Sequence, residues 1–278
     1  LGLDAEQTAH ALGLAIAQAA GLKSMFGTMS KPFQVGKAAM NGLLAARLEK
    51  KGMTSRTDAI ECAQGLADTQ SDGFFPAEIT SGGNRAFAVE GNLFKYHAAC
   101  YLTHSPIEAA RRLRELHSIK PDAVERATIE VNKDALTVCN IDRPDTGLQI
   151  KFSLKHTVGM ALSGMNTGAL DTYTDENAQD ETLRDLGKRS VVVGVESDIW
   201  SHGRVKLDLK DGSSVEEVEN VGVPASDQPE QRRRLLAKFG TLSEEILGAS
   251  RADELADRIL SLNEIADASV LSEMAQAG

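Results

Sequence analysis

A change of hydrophobic period along the chain restricts the fold more than any other feature. Residues 4–20 place Leu12, Ala15, Ile16 and Ala19 at helical spacing, behind Asp4 as N-cap and Gln7 as its reciprocal partner. Further on the spacing becomes that of strands: Ser190–Val195, then Val205, Leu207 and Leu209 up to Asp211-Gly212, with Val215, Val218 and Val221 beyond. Aspartate-glycine between such runs predicts a hairpin, because both central positions of its turn need a left-handed backbone. From Ser226 helical patterning returns over 228–238, 241–247, 251–262 and 266–276. Helices at both ends with strands between them predict an α+β fold, a mainly helical domain interrupted by a smaller α+β lid domain. The predicted segments are a helical domain over 1–91, the lid over 92–224, and helices over 225–278 that return to the first domain.

Other elements follow from the same signals. Helices are predicted over about 36–51, 54–70, 106–118 and 153–165, and a strand over 126–132. Residues 21–36 and 133–150 read as irregular. The polar, glycine-rich stretch 80–92, with Ser81-Gly82-Gly83 as a flexible loop, is a crossing between domains. His10 reads as a surface residue or a satisfied core polar group, and His156, at a helix start, as exposed. Arg111, Arg112 and Arg114 read as a solvated helix face.

Charge narrows the partners. A net charge of −10 over 278 residues argues against a nucleic acid, whose phosphates demand a basic face. An acidic protein that takes an acidic substrate needs a local cationic pocket, which makes individual lysines informative. Cys62, Cys100 and Cys139 have no Cys-x-x-Cys spacing and read as reduced, buried thiols of a cytoplasmic protein. No apolar run reaches about 18 residues, so no membrane span is predicted, and no signal peptide is apparent. There is no metal-ligand spacing, no dinucleotide-binding glycine pattern and no Gly-x-Ser-x-Gly elbow.

One stretch concentrates reactive groups: Phe94-Lys95-Tyr96-His97-Ala98-Ala99-Cys100-Tyr101-Leu102-Thr103-His104, followed by Ser105-Pro106-Ile107-Glu108. Ser105 as N-cap, Pro106 at the first helical position and Glu108 at the third predict a helix start there. Its backbone N–H groups, with Lys95, His97 and His104 just before them, suit a carboxylate. The same residues also fit an ordinary polar loop. Removing a proton next to a carboxylate builds charge on a group already negative. An ammonium such as Lys31 or Lys95 offsets that charge, and a histidine such as His104 moves the proton.

The Lys95…Thr103-His104 spacing before a small-residue helix resembles the central motif of the MmgE/PrpD family. Phe26-Gly27-Thr28-Met29-Ser30-Lys31-Pro32-Phe33-Gln34-Val35-Gly36-Lys37-Ala38-Ala39 is similar to that family's Gly-Thr-x-x-Lys…Gly-x-Ala-Ala segment, and Phe152-Ser153-Leu154 to a third helix start. The family contains 2-methylcitrate dehydratases, cis-aconitate decarboxylases and an iminodisuccinate epimerase. The resemblance implies a lyase acting on a small di- or tricarboxylate, with an epimerase of an imino-dicarboxylate as the alternative within the family. It implies no metal and no cofactor, and a homodimer in the complete protein. Lys95, His104 and His97 are then the catalytic candidates, and Lys31, Thr103 and Cys100 the substrate-binding ones, with Lys31 and Lys95 approaching one pocket. The chain departs from the family at Tyr96 and His97, where proline and tyrosine are common, and at Cys100, where some members have histidine. It opens at Leu1 inside a helical pattern, so the resemblance implies an N-terminal truncation. Outside catalysis, two readings compete: a metabolite-binding protein of the same fold, and an interaction module using Arg111–Arg114 and the acidic C-terminal helices.

Overall fold

A computed structural model of the chain describes residues 1–80 and 87–276. The chain divides into two compact units, Leu1–Ala88 and Val89–Gly278. Part of the crossing assigned to 80–92, with Ser81-Gly82-Gly83, lies outside the described residues.

In the first unit α1 spans Ala5–Ile16, α2 Ser30–Glu49, α3 Leu66–Gln70 and α4 Ala77–Thr80. The capping box at α1 is present: the Gln7 amide donates to Asp4 Oδ1 at 2.9 Å, and the Gln7 side chain accepts from the Asp4 amide at 3.0 Å. His10 is tied to the 55–56 turn. Its Nδ1 donates to the Ser55 carbonyl at 2.6 Å, and Ser55 Oγ donates to the His10 carbonyl at 2.7 Å. Gly13 makes this approach possible, since a Cβ there would lie 2.3 Å from Ser55 Oγ. The helix expected from Gly36 starts at Ser30 instead. Pro32 is therefore inside its first turn, where an N–H has no intrahelical acceptor and proline costs nothing. Lys31 belongs to that turn rather than to a loop. The helix expected over 54–70 is reduced to α3, because residues before it fold as turns that bond Leu66 and Ala67 amides back to Ala59 and Ile60.

In the second unit α5 spans His104–His117, β1 Val124–Asn132, α6 Gly147–Ile150, α7 Leu154–Leu162, α8 Asp175–Gln179 and α9 Glu181–Lys188. Then come β2 Ser190–Val195, β3 His202–Leu209, β4 Ser214–Asn220, α10 Gln228–Leu247, α11 Ala249–Leu260 and α12 Ser269–Met274. The sheet order is β2-β1-β3-β4, with β1 and β2 parallel and the other pairs antiparallel. The Asp211-Gly212 hairpin forms, but of its two central residues only Gly212, at φ +87°, is left-handed. Ala127, Ile129 and Val131 of β1 and Val205 and Leu207 of β3 are buried at alternate positions. They share one face of the sheet, the face on which α5, α7 and α9 pack through Ile107, Leu113, Leu154, Val158, Leu183 and Leu186. The fold is α+β, mostly helical with this one small mixed sheet.

Three local expectations are corrected here. His156 is buried rather than exposed, because its Nε2 meets the Asn177 carbonyl at 2.8 Å. The helices expected over 228–238 and 241–247 are one, α10, which runs through Gly240. Ser105 does not cap α5. The helix begins one residue earlier, and the Ser105 hydroxyl donates to the Ser201 carbonyl and accepts the Val221 amide at 3.1 Å. That hydroxyl thus pins the start of α5 to both ends of the β3–β4 hairpin. Among the described residues no helix is long and apolar enough to cross a membrane.

Candidate active site

The reactive stretch folds as a loop leading into α5, and the second unit gathers most of the predicted residues around it. His104 is the first residue of α5, and Glu108 is one turn on, at i+4 on the same face. Both are buried. The His104 ring stacks on Tyr101 with centroids 4.8 Å apart and takes the edge of His97 at 4.8 Å. Trp200 continues the stack on Tyr101 at 5.6 Å.

His97 is fully engaged. Its Nε2 lies 2.8 Å from Glu108 Oε1 and its Nδ1 2.7 Å from Thr167 Oγ1. A carboxylate can only accept, so Nε2 carries the proton and Nδ1 accepts from the hydroxyl. Burial holds the imidazole neutral, its pKa pushed below the usual histidine value against the pull of Glu108. Burial works against ionisation of Glu108 too, but His97, Arg234 and Arg111 outweigh it and hold the carboxyl well below the usual range. Arg111 donates to Glu108 Oε2 at 2.8 Å, and Arg234 of α10 to Oε1 while lying 3.8 Å over the Tyr96 ring.

His104 differs from its neighbour. Its Nε2 is buried and has no hydrogen-bond partner, while the Ala99 carbonyl bonds to the ring. That leaves the proton on Nδ1 and a bare lone pair on Nε2. Burial first, then His97, Lys95 and Lys238, push its pKa down to about 2, so the ring is neutral at any ordinary pH. Lys95 is exposed, its Nζ donating to the Ala99 carbonyl at 3.3 Å. Lys238, one turn beyond Arg234 on α10, donates to the Lys95 carbonyl at 2.6 Å.

Other candidates have local uses. Thr103 is buried, its hydroxyl donating to the Cys100 carbonyl at 2.7 Å, which closes the turn before α5. The Cys100 amide donates to the Lys151 carbonyl at 2.9 Å, and its thiol neighbours the buried Cys139 thiol, whose pKa contact and burial push up. Lys31 lies in the first unit, half-buried in the first turn of α2. Arg111 and Arg112, expected as a solvated face, are ion-paired, Arg111 to Glu108 and Glu115 and Arg112 to Glu219.

Arg234, Lys238 and Thr167 were not singled out from the sequence, and Glu108 was read only as part of a helix start. Arg234 and Lys238 do share a helix face at i, i+4, but nothing local ties that face to residues 95–108. A cavity of about 290 Å³ also borders the loop, lined by Tyr96, Tyr101 and Arg234. Its wall carries Glu219, Asp227 and Glu230, which disfavours an anionic ligand there. Among the described residues no three of His, Cys, Asp or Glu converge as metal ligands would.

The MmgE/PrpD N-terminal domain matches residues 1–78 and the MmgE/PrpD C-terminal domain residues 97–264. The chain belongs to the MmgE/PrpD family. This MmgE/PrpD chain is 28% identical to cis-aconitate decarboxylase of Aspergillus terreus, over 99% of its own length and 60% of that protein. It is 25% identical to the cis-aconitate decarboxylase-like protein oryM of Aspergillus oryzae, over 98% and 60%. Against cis-aconitate decarboxylase of Mus musculus the identity is 20%, over 99% and 58%. The chain therefore spans about 60% of the length of the curated relatives it matches.

Proposed function

We propose that this chain is the part of an MmgE/PrpD lyase that holds a small di- or tricarboxylate, such as cis-aconitate or 2-methylcitrate, and moves a proton next to one of its carboxylates. The observation that carries this reading is the neutral, buried imidazole of His104, with an unpartnered Nε2 beside Lys95. A histidine kept neutral by burial first, with His97 and two ammoniums adding to it, is a weak base while the site is empty. A bound carboxylate neutralises those ammoniums and raises the basicity of His104 when substrate is present. Lys95 then offsets the charge that develops as the proton leaves. His97, fixed by Glu108 and Thr167, positions the His104 ring through its edge contact. By the motif match Lys31 remains a substrate-binding candidate, and Thr103 and Cys100 shape the loop before α5. The reading carries with it a cytoplasmic homodimer that needs no metal or redox cofactor.

The test uses the full-length protein, assayed against cis-aconitate, 2-methylcitrate and iminodisuccinate. Lys95→Met should lower turnover of the accepted substrate by about two orders of magnitude or more, the scale of losing one charge-stabilising group. Circular dichroism should stay unchanged, because Lys95 is exposed. Unchanged kinetics in the variant, or no turnover of any of the three by the parent, would overturn the reading.

A further inference from the structure

Most cations around the loop are already spent on acids. Arg111 and Arg234 bond Glu108, Arg112 bonds Glu219, and Arg233 bonds Glu230. Lys95 and Lys238 stand apart. Each donates to a backbone carbonyl, and among the described residues no carboxylate is within ion-pair distance of either ammonium. They are also close enough to act on each other and on His104. Two like charges beside a desolvated imidazole is an unfavourable arrangement unless an anion joins it.

The placement of Lys238 is not loose. Arg234, one turn earlier on α10, anchors the helix to Glu108 and to the Tyr96 ring. That anchoring turns the same helix face, and Lys238 with it, onto the backbone of Lys95. The second, independent sign of a ligand is the buried, unpartnered Nε2 of His104, a polar atom that lacks an acceptor or donor within the described residues. On the basis of the function proposed above, we infer that Lys238 is a substrate-binding residue that pairs with Lys95 to hold two carboxylates of one ligand beside His104. The site thus selects polycarboxylates over monocarboxylates, since a single carboxylate leaves one ammonium unmatched. The sequence expectation had looked to Lys31 for the second cation; Lys238 supplies one from within the second unit.

A merely structural Lys238 would serve only to satisfy the Lys95 carbonyl. Lys238→Gln separates the two roles, because its amide keeps a donor for that carbonyl and removes the charge. The experiment is isothermal titration of the full-length protein with tricarballylate, a saturated tricarboxylate, and with propionate. The parent should bind tricarballylate well above propionate. Lys238→Gln should weaken tricarballylate by about tenfold or more, the scale of one charge-assisted hydrogen bond, and leave propionate and the melting temperature unchanged. Lys238→Arg should restore most of the affinity. Equal tricarballylate binding by parent and Lys238→Gln overturns the role of Lys238 while the proposed function stands. No tricarballylate binding by the parent, with no turnover of any polycarboxylate, removes both. If Lys238→Gln fails to fold, the ε-carbon resonance of Lys238 in the parent decides. Saturating tricarballylate should move the pH at which it titrates upward, and an unmoved titration midpoint overturns the assignment.

Discussion

The two units bury their apolar residues very differently. The second encloses Ile107, Leu113, Ile129, Leu154, Met160, Leu183 and Leu207 between a sheet face and three helices. In the first, among the described residues, only Ala11 and Ala45 are buried hydrophobics, and Phe33, Met40 and Leu43 of α2 remain exposed. The polar interiors differ as well. The second unit buries His97, His104, His156 and Glu108. An ionised carboxylate is tolerable there only because three groups, His97 of the preceding loop, Arg111 of α5 and Arg234 of α10, converge on Glu108. The comparison shows where precision resides: groups that must hold unusual protonation states sit in the unit that has a core to hold them.

Acid should separate the units most strongly. His97, His104 and His156 all have folded pKa values pushed below the ordinary 6.5 by burial. Above about pH 6.5 they add no pH dependence. Below it the unfolded chain takes up protons that the folded unit refuses, so stability falls as pH falls, by up to about 1.4 kcal/mol per pH unit for His104, with His97 and His156 adding in the same direction. Glu108, with a depressed pKa, adds its own loss below its ordinary 4.5. Trp200, the single tryptophan, lies in the second unit and reports on it by fluorescence. Urea midpoints read that way should drop steadily from pH 7 to pH 5. A flat profile would mean that these histidines titrate in the folded protein as they do in the unfolded chain.

Glu108→Ala should come next in size. It strands Arg111, Arg234 and the Nε2–H of His97 together, and breaking such a buried node costs about 3–5 kcal/mol. Because Arg234 lies on α10, urea unfolding of the variant should also show α10 and α11 released before the sheet. A loss under about 1 kcal/mol would reduce the node to an ordinary surface ion pair.

Two glycines sharpen the contrast with the smallest effects. In Gly203→Ala the new Cβ would meet Ser105 Cβ at 2.5 Å and Pro106 Cδ at 2.6 Å, where the hairpin grips the start of α5. That overpacking should cost about 1–3 kcal/mol. Gly42→Ala, in α2 of the first unit, meets nothing within 4 Å and should stabilise its helix by about 0.5–1 kcal/mol. Thermal melts of the two variants should move in opposite directions. Equal shifts would mean the two environments are alike.

What was legible in the sequence was local. Asp4 with Gln7, Asp211-Gly212, and Lys95 through His104 each act over a few residues, so spacing alone exposed them. The misreadings have equally physical causes. Pro32 looked like the end of a loop because a first-turn proline is indistinguishable from a breaker by type. Ser105 looked like a cap because its tertiary acceptor, the Ser201 carbonyl, is 96 positions away. His156 looked exposed because the carbonyl that satisfies it comes from a helix the pattern did not reveal. The partners that give the site its character were the least legible, Arg234 reaching Glu108 across 126 positions and Lys238 reaching Lys95 across 143.

The central claim is that His104 is a neutral imidazole with its proton on Nδ1 and a bare Nε2. Long-range ¹⁵N–¹H correlation spectra of the histidine-labelled protein, with His104 assigned by its Gln variant, measure this directly. The account predicts the Nδ1–H tautomer, with ring nitrogen shifts that do not move between pH 5 and pH 8 in the absence of ligand. An Nε2–H tautomer, or a ring that titrates near 6.5, would contradict it.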